Sequence, residues 1–186
     1  MSSAVLKDKG GKVTEFDTKT TSDDTYGYLI TIPIEHHKIH EGDHYVVHEA
    51  ATVASGTPKK WFISVPATGQ FHLTFECASS KNGTIELSEG PTVSAEGTAL
   101  TAYNSDRNSS NTSNLVIKKD PTSSAQGNVI DGHVMGTDAT NPAGTDGGSV
   151  SREQEWLLKN STTYLITYTS LTNANRVSLN LRYYEV

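Results

Sequence analysis

Apolar side chains recur at every second position through most of this chain, a spacing that predicts strands rather than helices. Residues 163–171 put Tyr164, Ile166 and Tyr168 on one face and Leu165, Thr167 and Thr169 on the other. In residues 177–184, Val177, Leu179, Leu181 and Tyr183 face one way, and Ser178, Asn180, Arg182 and Tyr184 the other. The link between them, residues 172–175, is short and polar, which predicts an antiparallel hairpin at the end of the chain. The same alternation predicts a strand over 28–35, with Pro33 marking an edge or a bulge. Residues 61–66 and 71–78 are expected to form a hairpin across Thr68-Gly69, and a strand holding Ile85 and Leu87 follows the Asn82-Gly83 turn. Shorter strands are expected over 98–103 and 115–117.

Turn signals return every ~8–12 residues, the rhythm of a sandwich or barrel rather than a βαβ fold. The expected class is therefore all-β, an antiparallel β-sandwich occupying residues 26–186. Residues 1–25 are polar and mixed in charge, with scattered apolar positions, and read as an N-terminal arm that either frays or orders against a neighbouring subunit. Residues 122–151 shift to Ser, Gly, Thr, Asp and Ala and read as one long loop, functional or mobile.

Composition narrows the partners. A formal net charge of −6 argues against nucleic acid, whose phosphates call for a basic patch. Cys77 is the single cysteine, so no intramolecular disulfide can form, and it reads as a small buried apolar residue. Residues 1–25 hold no apolar signal region, and no stretch approaches the ~20 apolar residues of a membrane span, so a soluble protein with no membrane partner is expected.

Chemical motifs are few. His40-Glu41-Gly42-Asp43-His44 spells the H-E-x-x-H zinc motif, and His36 and His48 extend it to four histidines at steps of four. That chemistry needs one helix, with Glu41 as general base. Gly42 and Asp43 are poor helix residues, so a turn at 41–43 between two strands is expected instead, with His36 and His40 on one strand face and His44 and His48 on the next. No metal centre is assigned; His36, His40, His44 and His48 are the residues that would hold one. Asp131, Asp138 and Asp146 match no EF-hand spacing and read as solvated loop carboxylates. Trp61, Trp156, Tyr183 and Tyr184 form either a sugar-stacking platform or, more in keeping with strand period, core and interface. There is no G-x-S-x-G and no Walker loop, so neither an enzymatic activity nor a cofactor is expected.

Several pieces taken in order resemble a known family. They are the His40-Glu41-Gly42 turn, Phe71-His72-Leu73-Thr74-Phe75, Gly97-Thr98 with Tyr103-Asn104-Ser105-Asp106-Arg107-Asn108, and Asp120-Pro121-Thr122. Gly147-Gly148, Glu155-Trp156-Leu157-Leu158-Lys159-Asn160 with Thr163-Tyr164-Leu165-Ile166, and the closing Tyr183-Tyr184-Glu185 complete the set. From about residue 36 onward the chain resembles the capsid decoration, or cement, proteins of tailed bacteriophages. The resemblance implies a jelly-roll-like sandwich without enzymatic activity. It further implies a protein made in the host cytoplasm, carried on the virion surface and often trimeric, that clamps major capsid protein subunits. Two other readings stay open: a carbohydrate- or receptor-binding phage appendage, and a zinc hydrolase built on His40, Glu41 and His44.

Overall fold

The computed structural model describes residues 33–135 and 155–186 in full, and the backbone of five short strands at 6–7, 13–14, 18–20, 25–27 and 147–149. The chain divides into two compact units, Met1–His37 and Lys38–Val186, a division later than the arm boundary expected at residue 25. In the first unit β1 (Leu6–Lys7) pairs with β2 (Val13–Thr14), and β3 (Thr18–Thr20) with β4 (Thr25–Gly27), both antiparallel.

The helix α1 (Ile34–Glu41) stands where a strand was expected at Ile34 and Glu35; residues 28–32 of that expectation lie outside the described residues. Local chemistry overrides the apolar alternation. Pro33 precedes the first turn, where its fixed φ suits a helix start, and its carbonyl accepts from His37 N–H at 3.1 Å. Glu35 lies in the first turn and Lys38 and His40 in the last, each complementing the helix dipole. Gly42 then ends the helix at a left-handed φ of 75°. The N–H groups of Gly42 and Asp43 return to the carbonyls of Ile39 (3.0 Å) and Lys38 (2.9 Å), a Schellman closure that a side chain at position 42 would strain.

Beyond the last turn of α1, the regular structure described in the second unit is strand. In chain order it holds β5 (His44–Val53), β6 (Pro58–Ser64), β7 (Phe71–Ser79), β8 (Gly83–Glu89), β9 (Thr92–Ala95), β10 (Thr98–Ala99) and β11 (Tyr103–Asn104). There follow β12 (Val116–Lys119), β13 (Thr122–Ala125), β14 (Asn128–Met135), β15 (Gly147–Ser149), β16 (Trp156–Leu158), β17 (Thr163–Ser170) and β18 (Asn175–Glu185). One sheet has the order β10-β12-β6-β17-β8-β14; the other runs β11-β5-β18-β7-β15, with β16 also on β7. Every pairing is antiparallel, and the inner faces share one apolar core that includes Trp61, Ile63, Leu73, Ile166 and Leu181. The fold is an all-β sandwich. Within it β5-β18-β7-β15 faces β6-β17-β8-β14, the two-sheet strand order of a jelly roll.

Two expected hairpins are corrected by this order. β6 and β7 lie in opposite sheets, as do β17 and β18. Side-chain period fixes which residues form a strand and which face they present, but not the neighbour. The links 65–70 and 171–174 cross from sheet to sheet instead of turning back. The long loop expected over 122–151 is corrected as well, since β13, β14 and β15 fall within it. β14 runs beside β8 from Asn128 to Met135, with a register shift between Val129 and Asp131. Its mixed sequence, with Asn128, Asp131, Gly132 and His133 among apolar residues, suits a sheet edge that meets water.

A narrow ribbon crosses the outer face of the first sheet. β9 carries the chain from β8 to β10, and β13 carries it back from β12 to β14, so the β9–β13 pair spans β6 and β17. Its corners all sit in left-handed backbone: Gly90 (φ 69°), Gly97 (φ 90°), Asp120 (φ 55°) and Gly127 (φ 88°). At Gly97 a Cβ would lie 2.0 Å from the Lys119 carbonyl oxygen, so no other residue fits that bend. Outward-facing side chains of the sheet hold the ribbon: Lys60 Nζ donates to Ser123 Oγ at 2.7 Å, and Gln126 Nε2 to Glu86 Oε2 at 2.7 Å. On this strapped face Phe62 and Leu165, outward by alternation, are buried.

Core burial leaves a signature in alkali. Burial pushes the Cys77 thiol from 9.0 up to about 12. Burial first, then the Glu185 and Asp43 charges, push the Tyr45 phenol from 10.0 up to about 12. Both groups hold their protons more tightly folded than unfolded, so the stability they contribute is complete below the unfolded values and fades as pH climbs through the folded ones. From neutral pH the urea midpoint is expected to stay level up to pH 9.0 and to fall steadily from there to about 12. A midpoint unchanged across that window would contradict the burial of both groups.

Candidate docking face

Among the described residues no ribbon crosses the outer face of the second sheet. Strand alternation sends Tyr45 and Val47 of β5 into the core and His48, Ala50 and Thr52 outward. Arg176, Ser178, Asn180 and Arg182 of β18 point the same way, and the register sets Asn180 beside His48 and Glu76, and Ser178 beside Ala50 and Ala78.

Polar contacts tie the middle of this face. His48 Nδ1 and Asn180 Oδ1 are 2.8 Å apart, and Arg182 lies 3.7 Å from Glu76. Beyond them side chains shrink. Ala50, Ala78 and Ser178 floor a groove of about 540 Å3, with Thr52, Ser80 and Arg176 at its margin. The groove is a shallow, mostly open depression that can take the side chains of a neighbouring surface.

The opposite end is closed by aromatic and acidic groups. His72 stacks on Tyr184 with ring centroids 4.5 Å apart and planes 8° from parallel. Glu155, just ahead of β16, bonds His72 Nδ1 and accepts from the Tyr184 hydroxyl at 2.7 Å. His44 reaches Ser105 Oγ at 2.6 Å and, like Tyr184, is buried although it sits on the outer face.

The histidines of the zinc-like motif are dispersed. His36 and His40 lie on α1; His44 and His48 lie on β5 beyond the left-handed Gly42. The expected turn at 41–43 is present, but it joins a helix to a strand rather than two strands. His40 and His44 therefore share no helical face, and the motif geometry is lost. Among the described residues no three His, Cys, Asp or Glu groups stand where they could hold a metal ion. Asp131 lies in β14, bonded to the backbone N–H of Gly132 at 2.8 Å, while Asp138 and Asp146 lie outside the described residues. Nor do the four aromatics build a platform: Trp61 and Tyr183 are in the core, Tyr184 is buried, and Trp156 packs against the core from its margin.

One polar cluster escaped the sequence reading. Glu49 points inward from β5, in phase with Val47 and Ala51, and accepts from the Trp61 indole and from Lys59 Nζ at 3.0 Å. Lys119 also reaches it, at 3.1 Å, and Lys59 extends to Asp120 at 2.7 Å. Burial works against the Lys59 charge, yet the bonds to Asp120 and Glu49 outweigh it and raise its pKa. The inward phase of a carboxylate between Val47 and Ala51 was the available signal. Among the described residues no helix is long and apolar enough to cross a membrane. No family model, curated protein or solved structure matches the chain.

Proposed function

We propose that this chain is a structural protein of a phage virion, decorating the outer surface of a head and clamping major capsid protein subunits, with three copies acting together. The observation that carries this reading is the jelly-roll strand order with one outer face strapped and the other, among the described residues, open as a broad polar surface. The sequence resemblance points the same way. Fold alone does not choose a function. What favours docking is the form of the open face: small residues beside a polar patch offer many modest contacts, which a trimer would multiply through avidity. The arm of residues 1–25 is assigned to anchoring on the capsid.

Deleting residues 1–25 is therefore expected to abolish binding to expanded heads while the remaining chain melts at an unchanged temperature. Electron cryomicroscopy of decorated particles reads occupancy directly, and normal occupancy after the deletion removes the arm from the model. A carbohydrate-binding appendage is the competing reading. It draws no support from Trp61 and Tyr183, which lie in the core. Specific binding on a glycan array would restore it.

A further inference from the structure

We propose that the ribbon of β9 and β13 seals a structural water molecule against the first sheet, bridging the hydroxyls of Ser88 and Thr167. Both side chains point outward by alternation, since their neighbours Leu87, Ile166 and Tyr168 belong to the core. Both are nonetheless buried, with relative exposures of 0% for Ser88 and 5% for Thr167. Neither hydroxyl has a hydrogen-bond partner among the described residues. A buried hydroxyl left unpaired is costly, and in folded proteins ordered water commonly answers it.

The register places the two groups for one bridge. Thr167 is paired with Glu86 and Ser88 with Leu165, so the hydroxyls sit on adjacent strands of one face, diagonally offset by two residues. Diagonal neighbours in an antiparallel pair have Cα atoms about 7–8 Å apart, with the Cβ atoms somewhat closer. That is too far for a direct bond between short side chains and suited to a single water between them. The flanking charges are engaged elsewhere. Lys60, paired with Thr167 on the other side, donates to Ser123, and Glu86 accepts from Gln126. Those two bonds are also the fastenings of the ribbon, so Thr167 lies between its pins and Ser88 next to one of them, two residues along β8 from Glu86. Ribbon backbone groups can supply the water's remaining partners, and corners anchored in the sheet on both flanks slow its exchange.

The test is the sign and additivity of two near-isosteric changes in the full chain, Thr167→Val and Ser88→Ala. If the hydroxyls share a water, each change strands it, and each melting temperature is expected to fall by about 2–4 °C. The double variant should then fall by less than the sum, because the second change removes a bridge already broken. A crystal structure at high resolution should show one fully occupied water within hydrogen-bond reach of both groups. A melting temperature that holds or rises in either single variant, additive losses in the double, or a crystal structure with both hydroxyls bonded directly to protein would each overturn the proposal.

Discussion

Replacing Asn175 with alanine is expected to lower the free energy of unfolding by about 2–4 kcal/mol, because one fully buried side chain joins several buried polar groups of two crossings. Asn175 opens β18 just after the chain has crossed from one sheet to the other, and its relative exposure is 0%. Its Nδ2 lies 3.0 Å from the Lys81 carbonyl, 3.2 Å from that of Asn82, 2.6 Å from the Tyr168 hydroxyl and 3.0 Å from Ser170 Oγ. Its Oδ1 accepts from the Ser80 hydroxyl at 3.2 Å. With two amide hydrogens the residue satisfies two of those acceptors at a time and orients the rest. The crossing 80–82 and the crossing 171–174 therefore meet on a single amide. Alanine would take one donor from each carbonyl, leaving Ser79 Oγ on Lys81 and the Leu171 N–H on Asn82, and would untie the two crossings in a place water reaches poorly. Asn175→Asp should be at least as damaging, since a carboxylate donates nothing to them. Urea unfolding at neutral pH, with an unchanged slope, is the measurement; a loss below about 1 kcal/mol would show that the crossings hold without this residue.

Glu49→Ala is expected to cost about 3–5 kcal/mol, the range for removing one partner of a buried ion pair. The side chain of Glu49 is 10% exposed and that of Lys59 12%, so neither charge is solvated well enough to stand alone. Removing the carboxylate strands the Trp61 indole N–H as well, beneath the edge where β5 faces β6 and β12. Lys59 keeps Asp120, but that partner is 59% exposed and screened by water, and compensates only in part. The double variant Glu49→Ala, Lys59→Met should regain part of the loss, because it also removes the cation left with only its exposed partner Asp120. A single variant as stable as the parent, or a double variant worse than the single, would mean that the cluster behaves as an ordinary surface pair.

Much of the sandwich was legible because each strand of its centre repeats with period two. Tyr164, Ile166 and Tyr168, and Val177, Leu179 and Leu181, fall on the core side as their spacing requires. Pairing was not legible. The 172–175 link has the length and polarity of a hairpin turn, and only the sheet order, with β17 and β18 in opposite layers, shows that it is a crossing. β14 was hidden for a different reason: Asp131, Gly132 and His133 are poor strand formers, and β8 beside them supplies the ladder that holds them extended. The helix α1 was missed because isoleucine alternation outweighed Pro33 and Gly42, whose positions mark a helix start and stop. The candidate face was half legible. Its outward residues follow from strand phase, but the groove depends on Ala50, Ser178 and Ala78 lining up across three strands, which is a matter of register.

The ribbon over the first sheet behaves as a cross-brace. It is tied to β8 and β14 on one flank and to β10 and β12 on the other, so the flanking strands cannot be pulled apart sideways without tearing its corners. A lateral load on that layer is shared among all of its strands rather than borne by the weakest seam. A shell component subjected to internal pressure would gain from such bracing where the sheet is widest.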